Sequence, residues 1–324
     1  MRKVLFATYP MAFHTPGGGE VQLLAYKRYL EAAGLEITLF NPWQPEFLRH
    51  DLVHFFSCVG GSSHFCEFVK KLGLPLVVSS SLWITEGTRH EYPMDEIRFQ
   101  LGLADRVVTN SSMESQTLAS VTALPIDRFR VVYNGVDPEF YEPADPTLFR
   151  QEFSIHEPFV LNVGNIEPRK NQLRLVEAMK AFPERPLVLI GHTRDPAYLQ
   201  QILRQGGPQV RFLGPLPHDS AILRSAFAAC SLFALPSALE TPGLAALEAC
   251  AQRAALLLTE VGSCREYFED RAVYVDPFSV KSIQMGIATC LSDCVVPAAP
   301  HIEDFRWPEV VRSLSNIYEE LVTR

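Results

Sequence analysis

The sequence predicts an α/β protein made of two doubly wound parallel sheets in series. Short β-branched runs alternate with helix-like stretches along the chain, which is typical of parallel βαβ units. The same scheme occurs twice, on either side of a segment that contains three prolines. A length of 324 residues also suits two domains of ordinary size.

Six β-branched runs in the first half predict strands at Lys3–Thr8, Glu36–Phe40, Asp51–Phe56, Pro75–Ser80, Asp105–Asn110 and Arg130–Tyr133. The clearest helix between them is GEVQLLAYKRYLEAAG, which has helically spaced apolar residues and ends on Gly34. Six further runs predict strands in the second half, at Phe159–Gly164, Pro186–Gly191, Gln209–Gly214, Cys230–Leu235, Ala254–Thr259 and Ala272–Val275.

The segment NGVDPEFYEPADP, residues 134–146, has the composition of a linker and predicts the domain boundary. We therefore expect Rossmann-like domains at residues 1–140 and 147–304. Residues 305–324 include a Trp-Pro helix start and predict a helix that packs back on the first domain. Ligands of open α/β sheets bind beyond the carboxyl ends of the strands, so we expect a site on post-strand loops facing an interdomain cleft.

Composition excludes several classes of partner and site. A net charge of −8 leaves no general basic surface for nucleic acid. The seven cysteines form no CxxC pair, which favours free thiols in a reducing compartment and no metal site. The N-terminal apolar run is short for a signal peptide, and no apolar window is long enough for a transmembrane helix. We expect a cytoplasmic protein, with peripheral contact at a membrane left open.

Two acids stand eight positions apart in SALETPGLAALEACA. With Thr241 as N-cap and Pro242 as the first helical residue, Glu240 is predicted on a loop and Glu248 about two turns into a helix. Seven residues of helix rise about 10 Å, comparable to a pyrophosphate with a sugar at each end. Helix-terminal N–H groups favour phosphate, and the carboxylates accept hydrogen bonds from sugar hydroxyls. The alternative is that both acids are merely solvated.

Two more post-strand features suit an anionic ligand. In GNIEPRKNQL, Gly164 marks a turn, and the adjacent Arg169 and Lys170 suit two linked phosphates. In TPGGGEVQLL, the glycines let backbone amides approach an anion or a sugar closely. The glycine run matches neither GxGxxG nor a P-loop, and a flexible turn explains it equally well.

Together, GGGE, YNGVDPEFY, NVGNIEPRKNQ, RFLGPLP and PSALETPGLAALEACAQ resemble the retaining GT-B glycosyltransferases of family 4, the glycosyl transferases group 1. The E-x7-E pair is that family's hallmark, and EPRKN is similar to mannosyltransferase-like members. The resemblance covers nearly the whole chain. It implies transfer of a hexose, with mannose as one candidate, from a GDP- or UDP-linked sugar to a saccharide or glycan acceptor, without a metal or other cofactor.

The resemblance also implies residue roles. Lys170, Arg169 and Glu240 would be catalytic, the two cations by neutralising the diphosphate and Glu240 by holding the donor sugar. Glu248 would bind the ribose. The remaining donor-binding residues would be Gly243, Leu244, Thr241, Gly164, Asn165 and, from the first domain, Gly17 and Gly18.

The chain departs from the family pattern at three places. Asn165 replaces a common arginine, Thr241-Pro242 replaces the Gly-Phe of an E-G-F-G turn, and Ser80 or Ser81 stands where a histidine usually follows the fourth strand. His54, Ser81 and Trp83 are therefore candidates for the acceptor side, although a histidine on a strand is more often packed or hydrogen-bonded and Trp83 could equally be a core residue. Two other hypotheses stay open: a catalytically silent GT-B protein that binds nucleotide sugar or partners an active subunit, and a sugar-nucleotide epimerase.

Overall fold

The computed structural model describes residues 2–14, 16–292 and 302–323. The chain divides into two compact units. Unit 1 comprises Met1–Gly135 with Asp304–Arg324, and unit 2 comprises Val136–Glu303. The division falls at the start of the proline-containing segment that predicts a boundary, and residues 293–301 of the predicted second domain lie outside the described part of the chain.

Unit 1 contains a parallel sheet of six strands in its described residues. The strands are β1 (Lys3–Thr8), β2 (Glu36–Leu39), β3 (Leu52–Phe56), β4 (Leu76–Ser79), β5 (Arg106–Thr109) and β6 (Phe129–Val131). Their order in the sheet is β2-β1-β3-β4-β5-β6. The chain therefore changes direction across the sheet at β1, which pairs with β2 on one side and β3 on the other.

The described residues of unit 2 also form a parallel sheet of six strands. These are β7 (Val160–Val163), β8 (Leu187–Ile190), β9 (Val210–Phe212), β10 (Leu232–Leu235), β11 (Leu256–Thr259) and β12 (Ala272–Val275). Their order is β12-β11-β10-β7-β8-β9. After β7 the chain winds one way to β9 and then returns to the other side of β7, so β7 and β10 flank the topological switch point where such sheets bind ligands.

Helices connect the strands. In chain order they are α1 (Gly18–Ala32), α2 (Ser63–Lys71), α3 (Met94–Leu103), α4 (Ser112–Thr122), α5 (Pro146–Phe153), α6 (Gln172–Met179), α7 (Pro196–Gly206), α8 (Ala221–Ala229), α9 (Leu244–Ala251), α10 (Cys264–Phe268), α11 (Val280–Leu291) and α12 (Trp307–Val322). The predicted fold class is confirmed: an α/β protein with two Rossmann-like parallel sheets.

Each predicted β-branched run overlaps an observed strand. The inner strands are buried on both faces and therefore have continuous apolar sequences. All five residues of β3 are buried, as are all four of β8 and of β10. The cores consist mainly of aliphatic and aromatic side chains beneath the helices, such as Leu5 and Val78 in unit 1 and Leu189 and Ile283 in unit 2.

The C-terminal helix packs on unit 1, as the sequence predicts. Along α12, apolar side chains at helical spacing are buried, including Val311, Leu314 and Tyr318. Trp307 at its start lies edge-on to Tyr26, with ring centroids 5.6 Å apart. Its indole is so close to Gly135 that a Cβ there would lie 2.5 Å from the ring, and glycine is therefore required at this contact.

Six cysteines of the described chain are free thiols, in agreement with the prediction, and Cys294 lies outside the described residues. Burial raises the pKa of the Cys250 thiol to about 11 and that of Cys66 to about 12, so these side chains act as core residues. Among the described helices, none is both long and apolar enough to cross a bilayer.

Candidate functional site

The loops after β7 and β10 are tied together at the switch point of unit 2. Asn171 follows a 3-10 turn at Pro168–Lys170 and takes a left-handed conformation with φ of 61°. Its side-chain amide donates to the carbonyls of Pro236, at 2.8 Å, and Pro277, at 2.7 Å. The N–H of Ala238 donates to the carbonyl of Arg169 at 2.8 Å. These bonds bring the basic pair of one loop against the acidic loop of the other.

Backbone hydrogen bonds hold Glu240 against the loop that follows β11. Its N–H donates to the carbonyl of Val261 at 3.3 Å, and its own carbonyl accepts from the N–H of Ser263 at 3.0 Å. The two loops can come this close because residue 262 is a glycine, since a Cβ there would lie 2.0 Å from the Glu240 carbonyl oxygen. The position of the Glu240 side chain is thus fixed by the loop after β11 as well as by its own.

Lys170 and Glu240 form a nearly buried ion pair. Lys170 Nζ donates to Glu240 Oε1 at 2.6 Å, and the two side chains are 12% and 5% exposed. Arg169 Nη1 lies 3.8 Å from the same oxygen, and the arginine also donates to the Leu239 carbonyl and to Glu167. Burial raises the pKa of the Glu240 carboxyl, but the charges of Lys170 and Arg169 outweigh burial and hold it below its usual value. The Glu240 carboxyl is therefore ionised at neutral pH.

The predicted start of the helix after Glu240 is wrong. The structure begins α9 at Leu244, with Gly243 as its N-cap at φ of 87°, and places Thr241 and Pro242 in a bend joined by a cis peptide bond. Gly243 cannot be helical at that φ. Glu248 is only five positions after the N-cap, a rise of about 7.5 Å instead of about 10 Å. A Cβ on Gly243 would also lie 3.1 Å from Glu240 Oε2, so the bend and this carboxylate are in close contact.

Gly164 and Asn165 lie at the end of β7, beside the ion pair. A Cβ on Gly164 would be 3.4 Å from Lys170 Cε, and the residue has φ of 155°. The carbonyl of Asn165 accepts from Gln172 Nε2 at 3.0 Å. The structure thus brings Gly164, Asn165, Lys170, Arg169 and Glu240 together near the N-terminus of α9, whose first N–H groups have no intrahelical acceptor.

Glu248 is buried on α9 and is bound by a histidine that the sequence analysis missed. His218 Nε2 lies 2.7 Å from Glu248 Oε1, and His218 Nδ1 lies 3.7 Å from Asp137 Oδ2. The motif RFLGPLP stops one residue before His218, and YNGVDPEFY contains Asp137. The two motifs therefore mark the parts of the chain that contain this contact, but their spacing in the sequence does not predict that His218 and Asp137 lie close together.

Gly17 and Gly18 lie in unit 1, after β1, at its switch point. Gly17 is the N-cap of α1, and its N–H donates to Glu20 Oε2 at 2.7 Å. Gly18 is the first residue of the helix and is exposed. The glycines thus form the start of α1, instead of a turn before it.

His54 is a packed core histidine, and its assignment to the acceptor side is corrected. It is fully buried, with Nδ1 2.6 Å from the Tyr318 hydroxyl and Nε2 2.8 Å from Ser79 Oγ. Both ring nitrogens therefore have protein partners. Burial lowers the pKa of His54 to about 3, so the ring is neutral at physiological pH.

The buried neutral imidazole predicts acid sensitivity. An unfolded histidine takes up a proton below a pH of about 6.5, whereas folded His54 resists protonation until about pH 3, so stability falls as pH falls through this interval. The slope contributed by one such group is about 1.4 kcal/mol per pH unit. We expect His54→Asn to reduce the pH dependence of the unfolding free energy by this slope in urea titrations. The same slope in both proteins would contradict the assignment.

The loop after β4 carries Ser81 and Trp83. Ser81 is exposed, with φ of 44°, and its hydroxyl lies 3.4 Å from Gln22 Oε1. Trp83 is half-buried. The preceding Ser80 is buried, and its hydroxyl donates to Glu114 Oε1 at 2.7 Å. Ser81 therefore presents a hydroxyl at this surface, where the family resemblance leads one to expect an imidazole.

Within the described residues, no group of three or more His, Cys, Asp or Glu side chains is arranged to hold a metal ion. The fixed positive charges near Glu240 are Lys170 and Arg169. Two cationic side chains beside helix-terminal amides can bind a dianionic phosphate.

Two family models match the chain. Residues 146–299 match glycosyl transferases group 1, and residues 43–140 match glycosyltransferase family 4. Among curated relatives, an uncharacterised glycosyltransferase of Methanocaldococcus jannaschii is 27% identical over 66% of this chain and 60% of its own. The D-inositol 3-phosphate glycosyltransferase of Nocardia farcinica is 33% identical over 66% of this chain and 52% of its own. The chain thus spans between half and two thirds of these relatives.

Solved structures share the fold. Sucrose-phosphate synthase from Thermosynechococcus elongatus has a TM-score of 0.84 at 18% identity and matches all of both chains. Anabaena HepE in complex with UDP and glucose has a TM-score of 0.82 at 20% identity and matches 99% of this chain and 100% of its own. The motifs, the two parallel sheets and the matched models agree, and the chain belongs to the GT-B glycosyltransferases of family 4.

Proposed function

We propose that unit 2 binds a nucleoside diphosphate sugar and that the protein transfers its hexose to a saccharide or glycan acceptor, with retention of configuration and without a metal. One observation carries the proposal: Lys170 and Arg169 converge on Glu240 at the switch point, beside the N-terminus of α9. Such a site offers cations and backbone donors to a diphosphate and a carboxylate to sugar hydroxyls.

The chemistry follows from these charges. The bond between the anomeric carbon and the diphosphate oxygen breaks, and the acceptor oxygen bonds to the same carbon from the face that the leaving group vacates. The proton of the acceptor hydroxyl leaves with the departing diphosphate. Negative charge grows on that diphosphate, and Lys170, Arg169 and the first amides of α9 stabilise it. Lys170 would then be shared between Glu240 and phosphate.

Other residues would position the donor. Glu248 would accept hydrogen bonds from the ribose, and Glu240 with the segment from Thr241 to Leu244 would hold the hexose. Gly164 leaves room beside Lys170 for a phosphate oxygen. The family resemblance assigns Gly17 and Gly18 to donor binding, and Ser81 and Trp83 to the acceptor side.

Relatives suggest which hexose to test first. Escherichia coli proteins named O-antigen chain mannosyltransferase B and serotype-specific mannosyltransferase WbdA are 24% and 28% identical to this chain. They make GDP-mannose and polysaccharide biosynthesis the first candidates, and a HepE complex with UDP-glucose makes that donor the second. We expect a cytoplasmic location, with peripheral membrane contact to be tested by fractionation in high salt.

The test is a donor and acceptor panel. The protein is incubated with GDP-mannose or UDP-glucose, with and without saccharide acceptors, and released nucleoside diphosphate is measured. We expect release that requires an acceptor, an α-linked product by NMR, and the same rate after EDTA treatment. Free nucleotide released without any acceptor would favour the epimerase hypothesis.

A silent nucleotide-sugar-binding protein, acting alone or with an active subunit, is the second candidate. The observation that favours it is the loop after β4, where Ser80 is engaged by Glu114 and Ser81 replaces an imidazole. His54 does not compensate, because it is buried and its ring nitrogens are engaged. Donor binding by calorimetry with no transfer to any acceptor would support this candidate over the enzyme.

A further inference from the structure

The imidazole of His218 lies between two carboxylates of unit 2. It is 2.7 Å from Glu248 Oε1 on one side and 3.7 Å from Asp137 Oδ2 on the other. The ring packs near Phe140, with centroids 5.7 Å apart. His218 is 40% exposed, whereas the Glu248 and Asp137 side chains are only 7% and 14% exposed. A half-exposed residue thus supplies the partner of a carboxylate that α9 buries.

The groups that face His218 are acidic. They are Glu248 from α9, Asp137 from the segment before the 3-10 turn at Pro138–Tyr141, and the adjacent Asp219. The hydrogen bond to Glu248 raises the pKa of His218 most, burial opposes it, and the net value is about 9. At neutral pH the ring is an imidazolium, so Nε2–H donates to Glu248 Oε1, while the contact of Nδ1 with Asp137 at 3.7 Å is one of charge.

Deprotonation changes this arrangement. A neutral imidazole carries no charge, so its hydrogen bond to Glu248 loses its charge assistance and becomes weaker. The bond at Oε1 also fixes the plane of the Glu248 carboxylate, which leaves Oε2 as the oxygen for a ligand hydroxyl. Losing the imidazolium would therefore loosen the group that is proposed to contact the ribose, and would not affect Lys170 and Arg169 at the phosphates.

We propose that His218 is a positioning residue that presents Glu248 to the ribose of a nucleoside diphosphate, so that affinity for the ribose depends on the charge of His218. This inference rests on the proposed function, in which Glu248 binds the ribose. Beyond the proposed function, it assigns to His218 a role in recognising the nucleoside part of the donor, and it predicts a pH range in which this recognition is lost.

The experiment measures dissociation constants by calorimetry for GDP, UDP and inorganic pyrophosphate, from about pH 7 to about pH 10. For His218→Ala we expect about tenfold weaker binding of the nucleoside diphosphate at neutral pH and unchanged binding of pyrophosphate. Wild-type affinity for the nucleotide should fall as pH rises through about 9, and the variant should lack this part of the fall. Titration of the base itself is common to both proteins and cancels in the comparison.

Two controls separate positioning from a merely structural role. His218→Gln keeps an N–H donor and should recover part of the affinity without the pH dependence. If the alanine variant folds poorly, the glutamine variant provides the comparison instead. A 2′,3′-dideoxynucleoside diphosphate lacks the hydroxyls, so wild type and His218→Ala should bind it equally.

The outcomes are distinguishable. Equal nucleotide affinity and equal pH profiles in wild type and both variants would overturn the role of His218 and leave the proposed function standing. Equal weakening of pyrophosphate and nucleotide would overturn it in favour of a structural role. Wild-type protein that binds no nucleoside diphosphate would overturn the proposed function, and this inference with it.

Discussion

Replacing Lys170 with methionine is expected to lower the rate of sugar transfer at saturating donor about 100-fold or more. The reason is that Lys170 Nζ is the nearly buried cation 2.6 Å from Glu240 Oε1, and positioned charge is most effective where charge develops in the transition state. Donor binding should weaken much less, because Arg169 and the amides of α9 remain. Steady-state kinetics and donor calorimetry on the same preparation provide the two measurements.

The same substitution should destabilise unit 2. Without Lys170, the buried carboxylate of Glu240 keeps only Arg169, at 3.8 Å. Removing one partner of a buried pair typically costs about 3–5 kcal/mol, and the remaining arginine should reduce the loss to about 2 kcal/mol. Urea titration of the free energy of unfolding measures it.

Two variants separate the stability effect from the catalytic one. Lys170→Met combined with Glu240→Gln should regain stability, because no uncompensated charge is left buried. Lys170→Arg keeps the charge but replaces a point charge with a planar fork, and should retain stability while losing part of the rate. Near wild-type turnover of Lys170→Met at a temperature where it is folded would remove Lys170 from the catalytic assignment.

The second large effect is expected for Gly262→Ala, a substitution outside the sequence motifs. Its Cβ would lie 2.0 Å from the Glu240 carbonyl oxygen, and its φ of 104° is unfavourable for any side chain. Left-handed backbone costs about 1–2 kcal/mol and overpacking a further 1–3 kcal/mol, so we expect a loss of about 3 kcal/mol. The collision displaces the backbone that carries Glu240, and the transfer rate should fall with stability.

Gly214→Ala is the matched control. Gly214 also has positive φ, 74°, but a Cβ there meets nothing within 4 Å. We expect a loss of only about 1 kcal/mol and a normal transfer rate. Equal effects at the two glycines would show that the contact with Glu240 is unimportant and that only the backbone conformation matters.

The fold could be predicted because its signals are local and repeated. Buried parallel strands need continuous apolar runs, and runs such as those at β8 and β10 can be recognised without knowing what they pack against. The proximity of the basic pair to Glu240 could be predicted because each lies in a loop that follows a strand. Since neighbouring strands end at one edge of a sheet, loops 70 residues apart, at Lys170 and Glu240, meet there.

Other features of the site could not be predicted, because they depend on contacts between distant residues that no local sequence pattern shows. Thr241-Pro242 is a good helix start by residue preference, yet the helix begins at Leu244 because Gly243 turns left-handed against the Glu240 carboxylate. His218 and Glu248 are 30 residues apart in the sequence, and only the folded structure shows that they are hydrogen-bonded. The sequence allows His54 to be a ligand-binding residue or a core residue. Its contact with Tyr318, 264 residues later, identifies it as a core residue.

The packing of α12 on unit 1 has a consequence for synthesis. Unit 2 is one continuous stretch, Val136–Glu303, so all of its residues are available before α12 exists. Unit 1 begins first and yet cannot bury Tyr26, His54 and Gly135 properly until Trp307 and Tyr318 arrive. During synthesis, therefore, unit 1 exposes an apolar groove until α12 has emerged, and a chain that stops before residue 307 would display that groove to chaperones and proteases.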